Sequence, residues 1–263
     1  MPAHSPRSTL APRYLPALTR AQIEALPGKA TSVVIIPTGS IEQHGPHLPV
    51  GVDSILGQAW LAAALPHVPA SASVYVGPPL TYGKSNEHTG FPGTLSISTI
   101  TLHRLLKSIA RQLTALGFRT LAVLNTHGGN SAVLVSTLRE IQTSCGINAG
   151  MLSFGWEPDL PAREAATGIH AGRFETALML AVSPGLVRMD RAVTVYPPPS
   201  VHSATVGIVD TPVSLGWATT DLSPSGVVGD ACAATEAEGR AWLAAGGRAL
   251  AEQILRLSAR IRT

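Results

Sequence analysis

Ser32-Val-Val-Ile-Ile-Pro-Thr-Gly-Ser-Ile-Glu-Gln-His-Gly-Pro-His-Leu-Pro-Val-Gly-Val-Asp53 holds the start of the fold and of its chemistry. Its first five residues form a short apolar run that reads as a buried strand. Gly39, Gly45, Pro46, Pro49 and Gly51 then keep the chain out of regular structure. Within that loop stand Glu42, His44, His47 and Asp53. Two carboxylates and two imidazoles so close together suit divalent zinc or manganese, which accept oxygen and nitrogen donors together. Glu42 and His44 are two apart, so in an extended segment they point the same way. Asp53 opens the next apolar stretch, where a carboxylate can ligate a metal and also favour a helix N-terminus. The same residues also fit a plainer reading, a turn rich in capping groups with a solvated histidine.

Outward from this stretch, strand and helix patterns alternate. Upstream, Thr19 is placed to cap a short helix through Leu26, ended by Pro27-Gly28, and residues 1–16 read as a loose arm. Downstream, Ile55, Leu56, Ala59, Trp60 and Ala63 keep a helical period, and Val74-Tyr-Val76 is a short strand. Ser98 or Thr99 can cap a helix with the apolar face Leu102, Leu105, Leu106, Ile109, Leu113 and Leu116, closed by Gly117. Thr120-Leu-Ala-Val-Leu124 is the next strand, and a helix begins near Ser131. Asn148 to Phe154 reads as a further strand, Gly155–Gly168 as an irregular flap, and the segment from Phe174 as a helix stopped by Pro184. Residues 196–226 show no clear period, and a long amphipathic helix with Trp242, Leu243, Leu250, Ile254 and Leu255 ends the chain. Strand–helix–strand order favours parallel pairing, so the expected fold is a three-layer α/β/α sandwich on a mostly parallel sheet, in one domain spanning 1–263.

Three more loops carry reactive side chains. Thr81–Thr94 contains Glu87 and His88, which equally fit loop-stabilising roles. Asn125-Thr-His-Gly-Gly-Asn130 follows a strand, where open α/β sheets place ligands. With no lysine and no Gly-x-Gly-x-x-Gly spacing, His127 as a metal ligand is a better use of it than a phosphate cradle. In Ile169-His-Ala-Gly-Arg-Phe-Glu175, His170 and Glu175 are five apart. They converge only if Ala171-Gly172 turns the chain with Glu175 in the first helical turn. Taken alone, Glu175 is most simply an acid complementing the helix dipole.

Gly39-Ser-Ile-Glu-Gln-His-Gly-Pro-His-Leu-Pro49 with Asp53 closely resembles the first metal-binding motif of the creatininase family of amidohydrolases. Glu87-His-Thr-Gly-Phe-Pro-Gly-Thr94, Asn125–Asn130, His170-Ala-Gly-Arg-Phe-Glu-Thr176 and the Gly226–Asp230 and Thr235–Arg240 segments extend the resemblance from about Val33 to about Arg240. It implies a creatininase-like fold, a homohexamer and two divalent ions per subunit, zinc, manganese or both. Asp53 would bridge, Glu42 and His127 would complete one site, and His44 and Glu175 the other. Glu87, His88, Gly128, Gly129 and Trp156 would lie around the metals or the substrate. In one departure, creatininase itself has an acidic ligand two residues after the histidine matching His127, where this chain has Gly129. Other members share the Gly-Gly form and take the carboxylate from the position of Glu175.

The resemblance implies hydrolysis of a carbon–nitrogen bond, not a peptide bond, in a small cyclic amide or related amide, by a hydroxide bridging two metals. The leaving nitrogen needs a proton, and His170 is the candidate donor. The position of a substrate-packing tryptophan in creatininase is Ala166 here, which argues against creatinine itself. One alternative is a deformylase acting on a phosphorylated formamido-pyrimidine, for which only Lys84 and Arg173 lie in the motif loops. Another is a non-catalytic metal-binding subunit of an oligomer. Charged residues are only 13% of the chain, against roughly 25% in an average soluble domain, which suggests surface buried between subunits. A net charge of +3 with scattered arginines argues against nucleic acid. No apolar run nears the roughly 18 residues of a membrane span, and no signal-peptide core is visible, so a cytoplasmic location is expected. Cys145 and Cys232 form no Cys-x-x-Cys pair.

Overall fold

The computed structural model describes residues 13–197, 206–207, 213–214 and 216–260. Four strands, β1 (Val33–Thr38), β2 (Val74–Val76), β3 (Thr120–Asn125) and β4 (Asn148–Leu152), form an all-parallel sheet in the order β2-β1-β3-β4. The alternation of β1 decides the layering, because successive side chains point to opposite faces. Val33 and Ile35 enter a core built with α2 (Val52–Ala64), α6 (Arg173–Val182) and α8 (Glu236–Arg260). Val34 and Ile36 enter a second core with α3 (Thr99–Ala115) and α4 (Ser131–Ser144). Covering both faces removes water from every residue of β1, which explains a continuous apolar run in place of alternation. The remaining helices are α1 (Arg20–Ala25), α5 (Ala162–Thr167) and α7 (Thr219–Leu222). Two short strand pairs lie outside the sheet: β5 (Thr194–Val195) antiparallel to β8 (Gly229–Asp230), and β6 (Val206–Gly207) parallel to β7 (Val213–Ser214). No helix among the described residues is long and apolar enough to cross a membrane.

Most boundaries follow local chemistry. Thr19 caps α1 in a reciprocal pair with Gln22, Ser98 caps α3 by accepting Thr101 N–H, and Gly117 (φ 95°) takes the left-handed turn after α3. Leu105 and Leu116 of the expected apolar face of α3 are exposed, and Ala110 is buried instead. β4 stops at Leu152, short of Phe154, and the expected irregular flap contains α5. Of the expected loose arm, residues 1–12 lie outside the described residues. Arg13 is pinned, its guanidinium donating to the carbonyls of Val68, Pro69, Ala72 and Val74 at 2.6–3.2 Å. Within the 196–226 segment, residues 198–205, 208–212 and 215 also lie outside the described residues.

Candidate metal centre

The loops leaving the carboxyl ends of β1 and β3 meet the start of α2 and the turn before α6 around a cavity of about 330 Å³. Glu42, Asp53, Glu87, His88, His127, Gly128, Gly129, His170 and Glu175 line it, and His44 lies just beneath. Position in the fold accounts for much of this convergence. Glu42 lies in the loop that leaves β1, Asp53 sits in the first turn of α2, and His127 lies two residues past the end of β3. Thr126 ties the last two together by donating its hydroxyl to Asp53 O at 2.8 Å. A side-chain carbon on Gly39 would lie 2.8 Å from Ser54 N, so glycine permits the close approach of loop and helix.

The turn that must bring His170 to Glu175 is present. Ala171 has φ 52°, the single positive φ outside glycine among the described residues. The left-handed region disfavours residues with a Cβ, and such strain persists where surrounding structure holds it. Two sets of bonds hold this one. Val228 exchanges backbone hydrogen bonds with His170, and Ala171 N–H donates to Glu175 Oε2 at 2.6 Å. Glu175 is thereby fixed in the first turn of α6, with Oε1 3.9 Å from His44 Nε2.

Hydrogen-bond partners fix the tautomers of the imidazoles. His44 Nδ1–H donates to Glu42 O at 3.1 Å, which leaves Nε2 facing Asp53 Oδ1 at 3.4 Å. His127 Nε2–H donates to Lys84 O at 2.9 Å, which leaves Nδ1 facing Glu42 Oε2 at 3.0 Å and Asp53 Oδ2 at 3.3 Å. Asp53 therefore turns one oxygen to each histidine. His170 Nε2–H donates to Gln43 O at 2.7 Å, and its Nδ1 lies 3.7 Å from Glu42 Oε1. His88 Nδ1 accepts from Gln43 Nε2 at 3.0 Å, so Nε2–H points towards Glu42 Oε1 at 3.4 Å.

This donor set fits metal ions. His44 Nε2, Glu42 Oε2 and Asp53 Oδ2 are buried without a well-aligned hydrogen bond, an expensive arrangement unless a cation meets them. Three trios of ligating atoms each lie within 4.8 Å: Glu42, Asp53 and His127; His44, His170 and Glu175; Glu42, His88 and His170. Without metal, protons fill the role. Burial alone would lower the His44 pKa, but contact with Asp53 and the charges of Glu175 and Glu42 raise it to about 9. His127, likewise opposed by burial, is raised to about 11 by Asp53 and Glu42. Burial, with Asp53 and Glu42 adding to it against His44, pushes Glu175 up to about 7. Asp53 goes well below the usual carboxylate range despite burial, because His127 and His44 contact it. Burial outweighs the nearby carboxylates at the other two imidazoles: with the neighbouring histidines, and against Glu42, it lowers His88 to about 3, and with His44 and His127 it holds His170 well below its ordinary value.

Three placements differ from sequence expectation or were invisible to it. Trp156 does not line this cavity but packs with Trp60 against Gly246 of α8, and Trp217 lines the cavity instead. Trp217 lies in a segment with no periodic signal, so nothing in the sequence singled it out. Glu164 of α5 is buried, accepting Arg173 N–H at 2.8 Å, Asp230 N–H at 2.9 Å and the Tyr196 hydroxyl at 2.9 Å. It clamps the flap to the His170–Glu175 turn. Finally, a side chain at Gly129 would overlap Glu87 Oε1, so the Glu87 carboxylate fills the space left by glycine, 3.5 Å from His127 Nε2.

A cavity of histidines and carboxylates at the carboxyl ends of parallel strands defines the class: an α/β protein with a metal-competent site. Comparison with known proteins supplies the family. The family model described as creatinine amidohydrolase matches residues 16–254. A mycofactocin precursor peptide peptidase from Mycolicibacterium smegmatis is 35% identical over 210 residues, 79% of this chain and 78% of that protein. A creatinine amidohydrolase from Pseudomonas putida is 33% identical over 205 residues, 70% of this chain and 77% of that one. Solved creatininase structures share the fold: a manganese form (27% identity, TM-score 0.75, 93% of this chain and 98% of that one) and a zinc–zinc mutant form (28%, 0.74, 92% and 97%). The chain belongs to the creatininase family, and it is a hydrolase of carbon–nitrogen bonds.

Proposed function

We infer that the protein is a two-metal amidohydrolase that cleaves the C–N bond of a small amide, cyclic or open. The observation that carries this reading is Asp53, whose two oxygens face His44 Nε2 and His127 Nδ1 separately. Such a carboxylate is suited to bridge, with Glu42 and His127 holding one ion and His44 and Glu175 the other. Zinc and manganese both suit the mixed donors. When bound, the ions supply an acidified water and polarise the scissile carbonyl.

The chain's own groups do the rest. His170 is neutral, with Nε2–H committed to Gln43 O, so its free Nδ1 accepts the proton released by the attacking water and delivers it to the leaving nitrogen. Gln43 and Thr219 hold His88 so that its Nε2–H steadies Glu42. Trp217 and Ile169 supply apolar wall, while Glu87 and the bare backbone of Gly128 and Gly129 form the polar one. No lysine or arginine lines the cavity; Lys84 pairs with Glu87 and Arg173 with Glu238, which disfavours a phosphorylated substrate. Peptides stand beside cyclic amides as substrates because of the likeness to the peptidase. The reading takes the chain as one domain working in a cytoplasmic homo-oligomer, supported by its low charged fraction.

The test is elemental analysis combined with hydrolysis. Cyclic amides, formamides and short peptides are assayed with zinc or manganese, for wild type and Asp53→Ala. About two ions per chain are expected, both weakened in Asp53→Ala. Full two-ion occupancy in that variant removes Asp53 from the bridging role.

A further inference from the structure

A second cavity, of about 310 Å³, adjoins the first. The two share Thr126, His127, Gly128 and Glu175, so two of the residues assigned to the metals form part of the partition. Beyond that partition the walls change character, to Leu56, Trp60, Phe154 and Phe174. Its other two lining residues, Asn125 and Ser131, hydrogen-bond to each other at 3.2 Å. No lysine or arginine lines it.

The concentration of aromatics is unusual for this chain, which has only four tryptophans and four phenylalanines. Trp60 meets Phe154 in a tilted contact with ring centroids 4.7 Å apart and lies nearly parallel to Phe174 at 6.5 Å, and Phe174 in turn meets Trp242 at 5.7 Å. The cluster is braced from behind by α8. A side-chain carbon at Gly246 would stand 2.7 Å from the Trp60 ring and 3.1 Å from that of Trp156, so glycine lets the helix back closely against both. A cleft of this size, with an aromatic and aliphatic wall, is at the lower end of small-molecule sites.

We propose that this aromatic cleft is the side-chain subsite of the hydrolase, receiving a bulky apolar side chain, aromatic or branched, next to the scissile amide. The substrate class is then an acylated or peptidic amide carrying such a residue. The inference rests on the amidohydrolase reading above. The committed occupant follows from continuity: a group in the cleft is separated from the reacting centre only by residues that also line the reaction cavity. Filling the cleft in place of leaving the side chain in water is worth roughly tenfold to a hundredfold in kcat/KM.

The experiment uses the full-length, metal-loaded protein and tripeptides carrying glycine, leucine or phenylalanine at each position in turn. Wild type is expected to prefer leucine or phenylalanine over glycine at one position by tenfold or more, mainly through KM. Phe154→Ala is expected to shrink that ratio at least tenfold. In parallel, 3-phenylpropionamide is expected to quench tryptophan fluorescence at concentrations where acetamide does not, and more weakly in Phe154→Ala. Hydrolysis without side-chain preference overturns the subsite and leaves the amidohydrolase reading standing. Selective quenching with no tripeptide hydrolysed overturns the assignment of the cleft to a peptidic side chain and leaves the amidohydrolase reading, which also covers cyclic amides, standing. A change of oligomeric state in Phe154→Ala with the preference ratio unchanged makes the cleft a contact between copies and overturns the proposal.

Discussion

Metal loading should expel protons, and the number follows from the site. In the metal-free protein at pH 7, His44 (about 9) and His127 (about 11) are both protonated, held by Asp53 and Glu42. Glu175, at about 7, carries about half a proton. A cation meeting these atoms must displace all of them, so filling both sites at pH 7 releases about two to two and a half protons. Calorimetric titration of chelator-stripped protein in buffers of different ionisation enthalpy reads this number directly. Each displaced proton adds one log unit of affinity per pH unit. The product of the two association constants should therefore rise about a hundredfold per unit between pH 7 and 8.5. The stripped protein should show the opposite trend in stability. Both histidine pKa values lie above the ordinary 6.5, so their stabilisation is complete below pH 6.5 and is lost as pH rises through about 9 and then about 11. Urea unfolding of stripped protein at pH 6, 8 and 9.5 should show declining stability, which added metal restores. Release of less than one proton, with pH-independent affinity, would refute the assignment of His44 and His127 to the metals.

Other substitutions separate the remaining roles. Glu175→Gln should weaken one ion and leave the other bound, and a metal titration identical to wild type would remove Glu175 from the ligand set. His170→Ala should keep both ions and lose roughly 10²–10⁴-fold in rate on an amide, less on an activated anilide that needs little help in leaving. Loss of metal in step with activity would instead make His170 a ligand. Glu164→Ala leaves two backbone N–H groups and the Tyr196 hydroxyl without their carboxylate. It should lower stability by about 2–4 kcal/mol in chemical denaturation, and a change under about 0.5 kcal/mol would show that the flap is held by other contacts.

Legibility in the sequence followed physical locality. β1 and its loop were readable because an apolar run, a cluster of turn formers and the histidines and carboxylates Glu42, His44, His47 and Asp53 lie within 22 consecutive residues. The turn at Ala171-Gly172 was readable as a requirement, since His170 and Glu175 can meet only if the helix starts between them. Its strain was not, because an alanine at φ 52° gives no signal in one-letter code. Glu164 looked like an ordinary charged residue of a loop. Its burial depends on three donors from segments 9, 32 and 66 residues away, a separation local patterns do not encode. The cleft beside the candidate metal centre was hidden for the same reason: Trp60, Phe154 and Phe174 come from α2, the segment after β4 and α6.

Gly129 shows how a missing side chain can be read from its neighbours. In sequence it marks only the absence of an acid that creatininase itself carries there. In space the gap is filled, because Glu87 reaches into it from the Thr81–Thr94 loop and its carboxylate faces His127 Nε2. That nitrogen already donates to Lys84 O, and the other ring nitrogen faces Glu42 and Asp53. Glu87 is therefore on the far side of the imidazole from the proposed metals, suited to orient the ring and raise its basicity. The charge is retained near the same place, but its proposed work changes from direct ligation to supporting a ligand. That change would leave Glu175 as the available carboxylate for the proposed second ion. On that reading its short bond to Ala171 N–H, and the turn that makes the bond, matter to a candidate metal site formed largely by other loops.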